Sequence, residues 1–287
     1  MYHIIFNPIA GKKNADKNLK AVEKVFSARG VEFEVHTSKQ ERDSQTIAKQ
    51  LTANGATDLV VIGGDGTLHE VLNGMVDPTA CRIGLIPSGT GNDFAEKIGL
   101  PMDAEKAALR ILDGDAMPTD YMEVGGLRCM NVGGLGMDVD VLERCKRGKM
   151  KGKMKYLISL LQSLFAFKGY RIEMESEGRK ESHSALIAAV CNGAQFGGGI
   201  PICPTAEIDD GKINVILVDC IGGVWKIIKA FLQLMKGNIL TYPATTHFLC
   251  DKVRFVPEYP CTVQLDGELY KGIDFDVKIC SGLRFYR

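Results

Sequence analysis

Gly63-Gly64-Asp65-Gly66-Thr67 follows the apolar run Val60-Val61-Ile62. The run is β-branched and unalternated, which marks a strand buried on both faces. Glycines at its end suit a turn that needs φ > 0 or close approach of backbone to a ligand. Leu68, Val71 and Leu72 recur at helical spacing, so a helix starts at the turn. Strand, glycine-rich turn and helix start together cradle an anion. Backbone N–H groups point at it, and the helix N-terminus favours its charge. The chemistry open to these residues is phosphate binding, with a nucleotide as the first candidate. The Walker pattern is absent, and the dinucleotide pattern fails at its last position, His69. A turn built only for tight packing is the alternative.

Two further turns have the same character. Ile83-Gly84-Leu85-Ile86-Pro87 runs into Ser88-Gly89-Thr90-Gly91-Asn92-Asp93-Phe94, where Asn92 or Asp93 caps the next helix. Ile4-Ile5-Phe6 ends at Asn7-Pro8-Ile9-Ala10-Gly11-Lys12-Lys13. Parallel strands project their loops from one carboxyl edge, where open α/β sheets bind ligands. Three such turns therefore converge on one crevice.

Two acidic segments lie further along. Leu265-Asp266-Gly267-Glu268 places two carboxylates around a glycine, a pattern typical of a hairpin turn. The same carboxylates suit phosphoryl transfer to an alcohol, which needs an acceptor for the hydroxyl proton. Glu207, Asp209 and Asp210 before Gly211 have the oxygen chemistry that Mg²⁺ prefers, or form an ordinary acidic turn.

The elements that must position these residues change character near residue 120. Before it, short strands alternate with amphipathic helices (18–29, 44–54, 94–98 and 103–112), which implies a doubly wound parallel sheet. After Pro118, short glycine-separated strands imply an antiparallel β-rich domain. The strands are expected at 120–124, 128–132, 170–175, 184–191, 212–218, 246–250, 252–256, 262–265 and 274–280. Helical segments interrupt them near 153–167 and 222–237.

The chain has 287 residues, enough for two cores, and a formal net charge of +0. No global field attracts nucleic acid or a membrane. Nine cysteines are scattered with no C-x-x-C pair, which argues against zinc and disulfide scaffolds and suits a cytoplasmic protein. Met1 leads directly into a strand, so no signal peptide is expected. No apolar stretch reaches the ~20 residues that span a bilayer. Arg144 to Lys155 is strongly basic and leads into Tyr156, Leu157, Leu160, Leu161, Leu164 and Phe165. Trp225, Ile228, Phe231, Leu232 and Met235 form a second stripe beside Lys226, Lys229 and Lys236. Both segments suit peripheral docking on an anionic membrane, or bury their stripes and leave their lysines in water. Nothing else favours nucleic acid. The oligomeric state is not encoded in any motif, and a homodimer is one option.

Asn7-Pro8…Gly11, the run Gly63 to Gly74, and Pro87-Ser88-Gly89-Thr90-Gly91-Asn92-Asp93-Phe94-Ala95 resemble the diacylglycerol kinase catalytic domain family, in its soluble bacterial and YegS-like branch. The resemblance spans nearly the whole chain. It implies a nucleotide-binding α/β domain over 1–120 and a β-sandwich-like domain with inserted helices over 121–287. The implied active site lies in the cleft between them. The implied reaction moves the γ-phosphoryl of ATP to a lipid hydroxyl, diacylglycerol first. An NAD kinase-like enzyme and a non-catalytic nucleotide- or lipid-binding regulator are the alternatives. NAD kinases lack the Ser88 to Phe94 run.

The resemblance assigns the nucleotide to Asn7, Pro8, Gly11, Lys12, Thr37, Gly63, Gly64, Asp65, Gly66, Thr67, Leu68, His69, Gly89, Thr90 and Asn92. His69 stands where relatives commonly have Asn. Asp65 is expected to reach a catalytic Mg²⁺, or to cap its helix. Asp266 or Glu268 accepts the proton. Glu207, Asp210 and the backbone carbonyl of Lys212 hold a structural Mg²⁺. The chain stops soon after Glu268, so no segment returning to the first domain is expected.

Overall fold

The computed structural model describes residues 1–11, 14–147, 169–220 and 222–287. Lys12 lies outside the described residues, as do the basic stretch from Lys149 to Lys155 and the expected helix over 153–167. The chain divides into two units, Met1–Asp120 with Ser281–Arg287, and Tyr121–Cys280.

The first unit is built from β1 (Tyr2–Phe6), α1 (Ala15–Ala28), β2 (Phe33–Thr37), α2 (Asp43–Ala53), β3 (Asp58–Gly63), α3 (Asp65–Gly74), β4 (Arg82–Pro87), α4 (Asp93–Lys97) and α5 (Ala104–Asp113). Its strands lie parallel in the order β4-β3-β1-β2. Ile4, Phe6, Val60, Ile62 and Ile86 bury one sheet face against Val22 and Phe26 of α1 and Ala107, Ala108 and Ile111 of α5. Ile5, Leu59 and Val61 alternate to the other face and are equally buried. The sheet is therefore covered on both sides, which is why its strands read as unbroken apolar runs. Because β1 lies between β2 and β3, the winding reverses between β1 and β3. At such a reversal, the loops leaving the carboxyl ends of the two strands diverge and leave a crevice.

The chain continues through β5 (Ala116–Val124), which enters the second unit at Tyr121, then β6 (Leu127–Cys129), β7 (Val132–Gly136), α6 (Met137–Arg147), β8 (Tyr170–Ser176), β9 (Arg179–Cys191), β10 (Ile213–Asp219), α7 (Val224–Met235), β11 (Thr245–Cys250), β12 (Lys252–Pro257), β13 (Thr262–Leu265), β14 (Glu268–Lys271) and β15 (Phe275–Tyr286), which leaves that unit after Cys280. Pairing among β7 to β14 is antiparallel. The inner strands are buried on both faces. Ala188, Val190, Val215 and Leu217 face one apolar layer shared with β8, β12, β13 and β15. Ala189, Cys191, Ile216 and Val218 face a second layer closed by Met137 and Val141 of α6 and Ala230 and Leu234 of α7. A β-sandwich-like domain with helices on one face is the result.

Four features differ from the sequence reading. The strand expected at 128–132 is interrupted at Met130 and Asn131, because their N–H groups donate to the Asp266 side chain rather than to a ladder. Helix α6 was not expected, and β14 was read as part of a turn. The end of the chain does return: Arg284 and Phe285 of β15 pair in parallel with Arg82 and Ile83 of β4. Ser281–Arg287 therefore belongs to the first unit and not, as expected, to the second. Phe285 is fully buried there, its ring 5.0 Å from that of Phe94, which supplies the apolar reason for the return.

Candidate active site

The three loops of the first unit hold one another. Asn7 Nδ2 donates to Thr67 Oγ1 at 2.9 Å, tying the β1 loop to the first turn of α3. Asn18 Nδ2 donates to Ser88 Oγ at 2.8 Å, tying α1 to the β4 loop. Gly11 has φ 65°, and a Cβ there would lie 2.2 Å from the Ser88 carbonyl oxygen. A Cβ on Gly64 would lie 2.7 Å from Gly89 Cα, and one on Gly89 would lie 2.6 Å from Gly64 Cα. No side chain fits between the β3 and β4 turns, so both positions require glycine.

Asp65 is held by this arrangement. Its carboxylate accepts from Asp93 N–H and Phe94 N–H, both at 3.2 Å. It thus caps α4, not the helix in which it stands. Asn92 or Asp93 was expected to be that cap, but Asp93 is the first residue of α4 and Asn92 makes no side-chain cap bond. Asn92 instead takes a left-handed conformation with φ 58°, and its Oδ1 accepts from Gly89 N–H at 2.8 Å. The amino end of α3 is left with Gly64 as a cap without a side chain. The turn closes with Leu68 N–H donating to the Gly64 carbonyl at 3.0 Å, and the opening turn of a helix is where backbone N–H groups and the helix dipole suit a phosphate.

Thr37 closes β2 beside Phe6, with its side chain exposed. Leu68 and His69 turn inward and are about 1% and 2% exposed. Asn73 Nδ2 donates to the His69 carbonyl at 2.9 Å.

In the second unit, Leu265 pairs with Glu268, so Asp266-Gly267 is a two-residue hairpin turn. Its φ values are 51° and 88°, as a primed turn demands. Asp266 folds back onto the break between β6 and β7. One carboxylate oxygen accepts from Met130 N–H at 2.8 Å, the other from Asn131 N–H at 2.8 Å and Val132 N–H at 3.3 Å. Cys129 Sγ donates as well, at 3.2 Å. Burial, then the adjacent carboxylate, push the Cys129 thiol well up, so it remains a protonated donor. Glu268 opens β14 and is partly exposed.

Residues 1–124 match the diacylglycerol kinase catalytic domain family, and residues 131–282 match the YegS C-terminal NAD kinase beta sandwich-like domain. The probable lipid kinase YegS of Salmonella newport (strain SL254) is 30% identical over 278 residues, which cover 95% of this chain and 91% of that protein. The chain belongs to the diacylglycerol kinase and YegS family of lipid kinases. The diacylglycerol kinase of Bacillus subtilis (strain 168) is 27% identical over 274 residues, covering 92% of this chain and 88% of its own. The crystal structure of a diacylglycerol kinase from Bacillus anthracis str. Sterne shares the fold, with a TM-score of 0.76 at 20% identity over 99% of this chain and 96% of that one.

This lipid kinase is thus a phosphotransferase whose family implies use of ATP. Around the expected structural Mg²⁺ site, Glu207 and Asp210 are exposed, and Asp210 Oδ1 accepts from Lys212 N–H at 2.9 Å. The Lys212 ammonium turns away to Asp251 Oδ1 at 2.6 Å. Two carboxylates and a carbonyl suit Mg²⁺, which keeps several waters and takes few protein ligands. Among the described residues no helix is long and apolar enough to cross a membrane.

Sequence reasoning missed Asn18 and Ser88 as the link between α1 and the β4 loop. It also missed Met130 and Asn131, whose backbone holds Asp266. Asn131 did leave a signal, as a polar residue in an otherwise apolar run that is only 5% exposed.

Proposed function

We propose that this lipid kinase transfers the γ-phosphoryl group of Mg²⁺-bound ATP to a lipid hydroxyl, with diacylglycerol as the acceptor and phosphatidic acid as the product. The interlocked loops after β1, β3 and β4 carry the reading. They present the amino end of α3 beside two glycine turns too tightly packed for any side chain. Backbone N–H groups of Gly64 to Thr67 would hold the phosphates, with Asn7 and Thr37 alongside, while Gly89, whose N–H is taken by Asn92 Oδ1, keeps the β4 turn close against Gly64. Mg²⁺, when bound, neutralises charge developing on the transferring group.

Glu268 is the proton acceptor in this reading. Three backbone N–H groups and a thiol occupy the lone pairs of Asp266, which a base would need vacant. Asp266 positions the turn that presents Glu268. Glu207, Asp210 and the Lys212 carbonyl hold the structural cation.

The acceptor is a lipid, and α7 supports contact with its membrane. The helix buries Ala230 and Leu234 and leaves Trp225 83%, Leu232 51% and Met235 44% exposed. Lys226, Lys229 and Lys236 flank them, as on helices that lie on anionic bilayers.

The test is phosphoryl transfer from radiolabelled ATP to a lipid panel in mixed micelles with Mg²⁺. Labelled phosphatidic acid from diacylglycerol is expected. Label on NAD with none on any lipid would refute the proposal.

A further inference from the structure

His3 on β1 and Glu34 and His36 on β2 share the sheet face opposite Ile4, Phe6 and Val35. The parallel register places His3 beside Glu34, and Ile5 beside His36. His3 Nδ1 lies 3.2 Å from His36 Nε2. Glu34 Oε2 lies 3.7 Å from His3 Nδ1 and 3.6 Å from His36 Nε2. Three ligand atoms thus form a nearly equilateral triangle. Among the described residues, this is the one group of three His, Cys, Asp or Glu side chains that converges in this way.

Tetrahedral Zn²⁺ with nitrogen and oxygen ligands at 2.0–2.1 Å separates neighbouring ligand atoms by about 3.3 Å. The triangle is close to one face of that tetrahedron. We propose that His3, Glu34 and His36 form a binding site for Zn²⁺, with water as the fourth ligand. Two imidazoles and a carboxylate suit a late first-row cation and disfavour Mg²⁺, which selects oxygen. The two imidazoles are 13% and 20% exposed and the carboxylate 59%, so the site is held by the sheet yet open to an entering ion. Metal binding requires unprotonated imidazole.

A bound ion would clip the edge strand β2 to β1. β2 ends at Thr37 and β1 leads directly into Asn7, so the clip would stiffen one wall of the crevice. The bland reading of the same atoms is a neutral N–H···N bond between the imidazoles, with Glu34 in solvent.

The two readings separate in a titration of the full-length protein with Zn²⁺ and, in parallel, Mg²⁺. One Zn²⁺ per chain is expected, raising Tm, with no competition from Mg²⁺. His3→Ala and His36→Ala should each weaken Zn²⁺ binding roughly tenfold or more. Glu34→Gln, on the exposed edge where folding is least at risk, should weaken it too. Cysteines are the competing ligands, so Co²⁺ replaces Zn²⁺ for a spectrum. Visible d–d bands without thiolate-to-cobalt charge transfer are expected, and they should be lost in His36→Ala. Wild-type Zn²⁺ affinity in all three variants, a thiolate band, or no Zn²⁺ uptake would each overturn the site.

Discussion

Asp266 and Glu268 are separated by one glycine, yet their surroundings give them different work. Asp266 spends its oxygens on Met130, Asn131, Val132 and Cys129. Glu268 begins a strand at the surface of its unit. Glu268→Gln should therefore lower kcat roughly a hundredfold or more while leaving the unfolding midpoint near that of the wild type. Asp266→Ala should instead cost about 1–3 kcal/mol of stability, because it strands backbone donors around a buried thiol. Parallel measurement of kcat and urea unfolding checks both. A stability loss in the Gln variant with full activity would exchange the two assignments.

At the scale of elements, the crevice depends on backbone approach that side chains would block. Gly89→Ala should force the β3 and β4 turns apart, since its Cβ would sit 2.6 Å from Gly64 Cα. Displacement of this order should raise the KM for ATP about tenfold or more and leave the KM for the lipid near its original value. Steady-state kinetics with each substrate varied in turn measures the contrast. Helix α7 gives a second prediction. The stripe read from its sequence, Trp225, Ile228, Phe231, Leu232 and Met235, is not the buried face: the fold buries Ala230 and Leu234, packs Phe231 only partly against the same layer, and leaves Trp225, Leu232 and Met235 outside. Trp225→Ala with Leu232→Ala should reduce cosedimentation with anionic vesicles several-fold, and activity on a short-chain, water-soluble acceptor should stay unchanged. Unaltered vesicle binding would remove α7 from the membrane contact.

At the scale of the molecule, the chain closes by bringing its last residues back to its first sheet. Tyr286 Oη donates to Asp58 Oδ1 at 2.6 Å, and Arg82 Nη2 donates to Asp58 Oδ2 at 2.6 Å. Burial pushes the Asp58 carboxyl up, but hydrogen bonds from Tyr286, Arg82 and Thr57 outweigh it and hold the group below its ordinary value of 3.8. Burial, then the Asp58 contact, push the Tyr286 phenol up, so it stays a donor. A depressed carboxyl stabilises the fold above its unfolded value and loses that contribution as pH falls through the folded one. Stability should therefore decline on acidification below about pH 4. Tyr286→Phe should cost about 1–3 kcal/mol at neutral pH and flatten that decline. Urea midpoints across the acid range test both.

Local patterning determined a great deal. The apolar runs at Ile4, Val60 and Ile83, each ending in a polar or glycine turn, specified a parallel sheet with its loops on one edge. The Asp266-Gly267 pair specified a hairpin. These follow from nearest-neighbour physics, the period of burial and the sterics of positive φ. The partners of the key side chains were decided only by the tertiary structure. Asp65 caps a helix that begins 28 residues later, and Asp266 is satisfied by backbone N–H groups 135 and 136 residues before it. The triangle of His3, Glu34 and His36 exists only in the register of β1 on β2. Hydrogen-bond partners are chosen by distance in space, and a single sequence records only distance along the chain.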